Sequence, residues 1–160
     1  MQPLFRTLAF GAVLTLGFRP MSLSAQGADP AAGTWELNLA QSKFSPGPPP
    51  KSQTRTYEVS GGDVKCTLKG IDAEGKPMLV QYNARYDGKD YPVTDSQDFD
   101  AMSLTRVDAV TARATLKKGG EVVQTATRVV SNEGKTLTLT TIGKDAKGQA
   151  VNDVLVFDKR

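Results

Sequence analysis

Histidine is absent from this sequence of 160 residues, and cysteine occurs once, as Cys66. Without an imidazole the chain has no Ser-His or Cys-His pair to activate a nucleophile, and no histidine ligand for zinc or haem. A single thiol forms no disulfide within the chain, so the fold depends on its hydrophobic core alone. These absences argue against an ordinary hydrolase or metalloenzyme, and we expect no catalytic residue, metal or cofactor.

Long apolar runs are also missing, apart from one near the N-terminus. Arg6 precedes the uncharged segment TLAFGAVLTLGF, residues 7–18, and small residues follow in SLSAQGA. This order is that of a secretory signal peptide. The run is shorter than the ~20 apolar residues of a membrane-spanning helix, and no cysteine lies near the expected cleavage points for lipid attachment.

We therefore expect residues 1–25 to be a signal peptide, with cleavage after residue 25 or after residue 27. Residues 26–160 should form one domain that is secreted or periplasmic and has no stable membrane anchor. The chain carries 20 Lys and Arg against 17 Asp and Glu, but Arg6 and Arg19 lie in the first 25 residues, which hold no acid. The rest keeps a formal charge of +1, so we expect no nucleic-acid partner, which would need basic side chains gathered on one face.

Short glycine turns divide the remainder of the chain at even intervals, and the runs between them are rich in Val, Thr and Leu. In DVKCTLKG, Val64, Cys66 and Leu68 alternate with polar residues, as they do on a strand with one buried face. Such one-sided alternation is typical of antiparallel sheets. About nine or ten strands joined by hairpins predict an all-β protein, an antiparallel up-and-down β-barrel. A two-sheet sandwich is the alternative.

The proline-rich segment SPGPPPK, residues 45–51, interrupts this pattern after the first strand. Proline fixes φ and has no amide proton, so it cannot continue a strand ladder or a helix. We expect Pro46 to Pro50 to run as an extended, polyproline-like strap across or beside one mouth of the barrel. An extended proline segment is also a low-entropy surface for a protein partner.

Three patches of the sequence resemble the lipocalin and fatty-acid-binding-protein family. GTW at 33–35 is similar to the G-x-W start of these proteins. Residues 115–141, which include TATR, are similar to the later hairpins of fatty-acid-binding proteins, and VFDK at 156–159 is similar to their terminal V-Y-E-K. The resemblance implies a calycin β-barrel, here of a secreted bacterial type.

Two departures from that family bear on function. In fatty-acid-binding proteins a pair of helices follows the first strand, where this chain has residues 45–51. The family's carboxylate clamp, an arginine and a tyrosine on the last strand, falls on Leu155 and Phe157, so the clamp is missing. The family's other internal arginine has a counterpart in Arg128.

Arg128 is the main candidate for ligand contact. It shares one strand face with Val122, Ala126 and Val130, which places its guanidinium in the cavity, where a buried charge needs an anionic partner or ligand. The alternatives are an outward arginine, if the register differs by one, and an internal ion pair with Asp153 or Glu58. Gln124 lies on the same face and could orient a polar group.

Two tyrosines are further candidates. Tyr82 lies on one strand face with Val80 and Ala84, and Tyr57 lies on one face with Val59, so both are expected to point inward. A buried phenol usually finds a hydrogen-bond partner; both core packing and ligand contact fit this pattern. Cys66 is predicted to be a packed thiol. The acidic loop DSQDFDA, residues 95–101, lacks the glycine and the ligand spacing of a calcium loop, so we expect no metal there.

These observations favour a secreted, non-enzymatic protein that holds a small hydrophobic or amphipathic ligand in a barrel cavity. The alternative is a protein-interaction module with a filled barrel, docking its partner through the proline-rich segment. A third hypothesis is an enzyme that uses tyrosine and carboxylate as acid and base. A cavity of several hundred Å³ distinguishes a carrier from a filled barrel.

Overall fold

The structure, a computed structural model, describes residues 28–160, which form a closed antiparallel barrel. Strands neighbour one another in chain order, and β1 closes the ring by pairing with both β2 and β10. The up-and-down barrel is confirmed, and the two-sheet alternative is wrong. The ten strands are β1 Gly33–Leu37, β2 Ser52–Ser60, β3 Asp63–Ile71, β4 Pro77–Arg85, β5 Asp87–Thr94, β6 Ala101–Arg106, β7 Thr111–Lys118, β8 Glu121–Val130, β9 Thr136–Lys144 and β10 Ala150–Lys159.

The predicted signal peptide, residues 1–25, and both of its predicted cleavage points lie outside the residues that the structure describes. Within residues 28–160 no helix has the length and the hydrophobicity that a membrane span requires. The predicted location of the protein therefore continues to rest on the N-terminal sequence.

Alternation along the strands separates the interior of the barrel from its outer face. On β3, Val64, Cys66 and Leu68 are buried, and the residues between them are exposed or half-buried. The same period buries Arg128 on β8. At the start of β8 the expectation is wrong, because Val122 is 58% exposed. A β-bulge causes this. Leu116 pairs with Gln124, but Lys117 pairs with Val122, so one extra residue of β8 lies between the two pairs and the alternation shifts by one residue.

Large apolar side chains fill the end of the barrel at which β1 begins, called the closed end below. Five of them are fully buried: Trp35, Val64, Val130, Leu137 and Phe157. The Trp35 indole Nε1 donates a hydrogen bond to the carbonyl oxygen of Ala31 at 2.8 Å, which holds the chain before β1 against this end. Burying each such side chain stabilises the fold by about 1.5–3 kcal/mol.

Residues 38–51 contain no helix and cross the opposite end, called the mouth. The amide of Lys43 donates to the carbonyl of Val154 at 2.8 Å, and the amide of Val154 donates to the carbonyl of Lys43 at 2.9 Å. Further along, the amide of Asn152 donates to the carbonyl of Ser45 at 2.7 Å. The Ser45–Pro46 and Gly47–Pro48 peptide bonds are cis. The polyproline-like course expected for this segment stays a prediction.

Candidate functional site

A cavity of about 450 Å³ runs from the mouth into the barrel. Its wall is largely apolar, formed by Leu68, Val80, Met102, Leu104, Leu116, Leu139 and Leu155. Pro46, Pro48 and Pro50 line it at the mouth beside Phe44. The side chains of the barrel therefore leave its interior open, and the space is in the range that small-ligand pockets occupy.

Arg128 lies at the floor of the cavity, toward the closed end. The residue is only 6% exposed, and its guanidinium carbon is 4.7 Å from the centre of the Tyr57 ring. Its Nη2 donates to the hydroxyl of Tyr86 at 2.5 Å. Because three strands separate β8 from β2 around the ring, the contact with Tyr57 spans the interior. The outward alternative is therefore wrong.

Neither of the carboxylates suggested from the sequence is an ion-pair partner of Arg128. Glu58 pairs with Lys65 at 2.9 Å on the outer face. Asp153 accepts the amide of Ser45 at 2.7 Å beside the mouth. Sequence alternation identified the face of the buried guanidinium but not the carboxylate to which it is linked.

The carboxylate linked to Arg128 is instead that of Asp29, through Tyr86. The Tyr86 hydroxyl donates to Asp29 Oδ2 at 2.7 Å, and Asp29 also accepts the amide of Ala31 at 2.9 Å and pairs with Arg106. The Arg106 guanidinium lies over the Tyr86 ring, 4.1 Å from its centre. Arg106, Asp29, Tyr86 and Arg128 thus form a continuous series of polar contacts from the surface to the cavity floor, called the floor network below.

The floor network keeps the Asp29 carboxylate ionised although its side chain is only 4% exposed. Burial opposes ionisation. The hydrogen bonds from Tyr86 and from the amide of Ala31, together with the charges of Arg128 and Arg106, outweigh burial and hold the pKa of Asp29 below its ordinary value. The closed end therefore contains a stable buried negative charge.

Tyr57, Tyr82 and Cys66 all line the cavity. Burial raises the pKa of Tyr82 well above that of an ordinary phenol, and it also raises the pKa of the Cys66 thiol. Both groups therefore remain protonated at neutral pH, so the cavity offers neither a reactive thiolate nor a phenolate base there. Cys66 is buried, as predicted for a packed thiol.

Gln124 lines the cavity nearer the mouth, and its amide is fixed by the next strand. Its Nε2 donates to the carbonyl of Lys144 at 2.9 Å. β8 and β9 approach closely at this point: Gly143 has φ of +151°, and a Cβ built on it would lie 2.6 Å from the Gln124 Cα. Only glycine allows that approach without a shift of the backbone.

Arg55 is a cavity residue that the sequence reasoning did not single out. β2 directs Gln53, Arg55 and Tyr57 into the cavity, and the Arg55 guanidinium carbon is 5.5 Å from the centre of the Phe157 ring. The Nε atoms of Arg55 and Arg128 and the Oε1 of Gln53 are buried without a hydrogen-bond partner. The signal for Arg55 was its position two residues before Tyr57, since residues two apart share a face.

Carboxylates line the cavity at the mouth, and several of them hold loops. Asp72 Oδ1 accepts the amide of Lys76 at 2.7 Å, and Asp98 Oδ1 accepts the amide of Ala146 at 2.9 Å. In the part of the chain that the structure describes, no group of three or more Asp, Glu or Cys side chains is placed to hold a metal ion. The cavity is therefore acidic at its mouth and basic at its floor.

Comparison with known proteins shows the fold. No protein-family model matches the chain, and no curated protein matches it. Among solved structures, zebrafish ileal bile acid-binding protein in complex with cholic acid is similar, with a TM-score of 0.52 and 14% sequence identity, over 82% of this chain and 99% of that one. Residues 28–160 therefore have the antiparallel barrel fold of the fatty-acid-binding and bile-acid-binding proteins.

Proposed function

We propose that this protein is a non-enzymatic carrier that holds one small hydrophobic or amphipathic molecule inside its barrel. The observation that carries the proposal is the cavity of about 450 Å³, which is open at the mouth and largely apolar along its wall. Small-ligand sites are commonly of this kind, with a few polar groups that fix orientation. Burial of the ligand's apolar surface supplies the affinity, and the polar groups at the floor supply the orientation.

Four residues are assigned to ligand contact: Arg128, Gln124, Tyr82 and Tyr57, all of which line the cavity. Arg128 presents a guanidinium to an anionic or polar group of the ligand, and the tyrosine rings offer both an apolar face and a hydroxyl. The structure of the zebrafish neighbour is of a complex with cholic acid, a small amphipathic molecule. That likeness of fold supports a ligand of the same general class.

Two further parts of the proposal rest on chemistry and on the N-terminal sequence. The raised pKa values of Cys66 and Tyr82, in a chain without histidine, favour binding over catalysis. A secreted or periplasmic location rests on the signal-peptide pattern of residues 1–25. N-terminal sequencing of the protein recovered from its host tests the location: a start after residue 25 or 27 supports it, and an intact Met1 contradicts it.

The second candidate function is a module that docks a protein partner through the proline-rich segment. The observation in its favour is the exposure of residues 46–49 at the mouth. The cavity counts against it, because that hypothesis requires a barrel filled by its own side chains. A chain that binds no small molecule would restore it as the better explanation.

Native mass spectrometry of the protein purified from its own host, followed by lipid extraction, tests the carrier function. We expect a small molecule to co-purify, and we expect Arg128→Ala to lower its occupancy. Arg113→Ala is the matched control, because Arg113 is exposed on the outer face of β7. An empty barrel that also fails to bind a broad panel of lipophilic probes contradicts the proposal.

A further inference from the structure

The cavity floor carries more positive charge than its carboxylate balances. Arg55 and Arg128 both line the cavity, and within residues 28–160 neither forms a direct ion pair. Asp29 interacts directly with Arg106 and, through Tyr86, with Arg128. One carboxylate thus serves three guanidiniums, and two positive charges at the floor remain without a counter-charge.

Unused hydrogen-bonding capacity lies at the same place. The Nε–H groups of both Arg55 and Arg128 are buried and unpartnered. Tyr57 lies under the Arg128 guanidinium, and Arg55 is two residues before Tyr57 on the same face of β2. Buried donors that lack partners are costly, and guanidinium groups pair best with oxyanions that accept two parallel hydrogen bonds.

The mouth has the opposite charge, which fixes the direction in which an anion would lie. Asp72, Glu74, Asp98 and Asp153 line the cavity there. A ligand with an anionic end is repelled by these carboxylates and attracted by the guanidiniums at the floor. Between the two charged ends the wall is apolar.

We propose, on the basis of the carrier function above, that the ligand is an amphiphile whose head group carries two negative charges, of the phosphate monoester class. The head group lies at the floor between Arg55 and Arg128, and the apolar part extends along the wall toward the mouth. Two negative charges match the two unbalanced guanidiniums, and the phosphate oxygens accept from their Nε–H groups. Gln53, whose buried Oε1 lacks a donor, is placed to accept from a hydroxyl of the ligand.

Three probes of one chain length test the head group: decyl phosphate, decane sulfonate and decanol, each titrated below its micelle concentration by calorimetry. We expect decyl phosphate at about pH 8 to bind at least about tenfold more tightly than the singly charged sulfonate, because it makes further charge-assisted hydrogen bonds. Decanol should be the weakest of the three. Equal affinities for phosphate and sulfonate overturn the inference and leave the carrier function standing.

A pH titration sharpens the same test. The phosphate loses its second charge near about pH 6, so its advantage over the sulfonate should fall about fourfold by about pH 5.5 and about tenfold by about pH 5. The titratable groups at the floor keep their protonation states over this pH range, because the pKa of Asp29 is lowered and those of Cys66, Tyr82 and Tyr86 are raised. An advantage that persists unchanged at the lower pH contradicts a doubly charged head group.

Variants connect the preference to the two arginines. Arg55→Met and Arg128→Met should each reduce decyl phosphate to the affinity of the sulfonate, and Arg113→Met on the outer face should leave it unchanged. If circular dichroism shows that a methionine variant does not fold, the lysine variant at the same position replaces it. Lysine keeps the positive charge without the guanidinium fork and should retain a reduced preference for decyl phosphate over the sulfonate. Failure of all three probes and of an apolar fluorescent dye to bind contradicts the carrier function itself.

Discussion

The two ends of the barrel differ in the side chains that form them and in how deeply those side chains are buried. The closed end buries Trp35 and Phe157 completely and encloses Asp29 in the floor network. The mouth has exposed prolines, carboxylates and an open cavity. The burial of side chains therefore differs between the two ends of the barrel. The difference indicates that the closed end supplies most of the stability, which leaves the mouth able to admit a ligand.

The largest expected effect comes from removing the indole at the closed end. Trp35→Ala should lower the free energy of unfolding by about 3–5 kcal/mol, because it leaves a cavity in a fully packed region. Phe44→Ala at the mouth removes a half-buried ring that already borders open space, so we expect less than about 2 kcal/mol. Urea denaturation of both variants measures the difference, and equal losses would contradict the contrast between the two ends.

Asp29→Asn should give the next largest effect, about 1–3 kcal/mol at neutral pH, because it removes a buried charged acceptor. The pKa of Asp29 is lowered in the folded state. Its contribution is therefore complete above the ordinary carboxyl pKa and is lost as the pH falls through the lower, folded value. The stabilities of the parent and Asp29→Asn should accordingly converge as the pH falls from about 5 toward 2.

Asp63→Asn is the matched control for Asp29. Asp63 also lies near the closed end, but its ion pair with Arg85 has an N–O distance of 3.5 Å, and both side chains are about half exposed. We expect a loss below about 1 kcal/mol. If both variants behave alike across the pH range, the floor network does not contribute as a buried unit.

The sequence predicted the fold well because one simple period governs a barrel. Alternation of Val64, Cys66 and Leu68 against polar neighbours follows from the geometry of a strand, and it gives each side chain a face. It also placed Arg128 inside. The same rule failed at Val122, because a bulge depends on the partner strand and leaves no periodic trace in its own strand.

The site was harder to predict, since its contacts join distant parts of the chain. Tyr86 and Arg128 are 42 residues apart, and Asp29 and Arg106 are 77 apart. Alternation states which face a side chain occupies and says nothing about which opposite strand it reaches. Asp29 lies before the first strand, outside any period, so the counter-charge of the floor could not be found from the pattern.

Arg55 provides a sharper contrast, this time within the cavity floor. Arg55→Leu replaces an unbalanced buried guanidinium by an apolar side chain, so we expect unchanged stability or a gain of about 1 kcal/mol. Arg128→Leu, by comparison, removes a donor to Tyr86 and should destabilise by about 1–3 kcal/mol. Chemical denaturation of the two variants side by side measures this. A loss above about 1 kcal/mol for Arg55→Leu would assign Arg55 to the fold rather than to a ligand.

The smallest expected effect concerns the rate at which an anionic ligand enters. Glu74 is exposed and lines the mouth, whereas Glu133 is exposed in the β8–β9 turn at the closed end. Glu74→Gln should raise the association rate of decyl phosphate about two- to threefold at low salt, because it removes a repulsive charge from the entrance, and the gain should vanish at high salt. Glu133→Gln makes the same charge change at the other end and should leave the rate unaltered. Stopped-flow mixing separates the outcomes: an equal gain in both variants would show an effect of net charge alone, and it would remove the mouth as the route of entry.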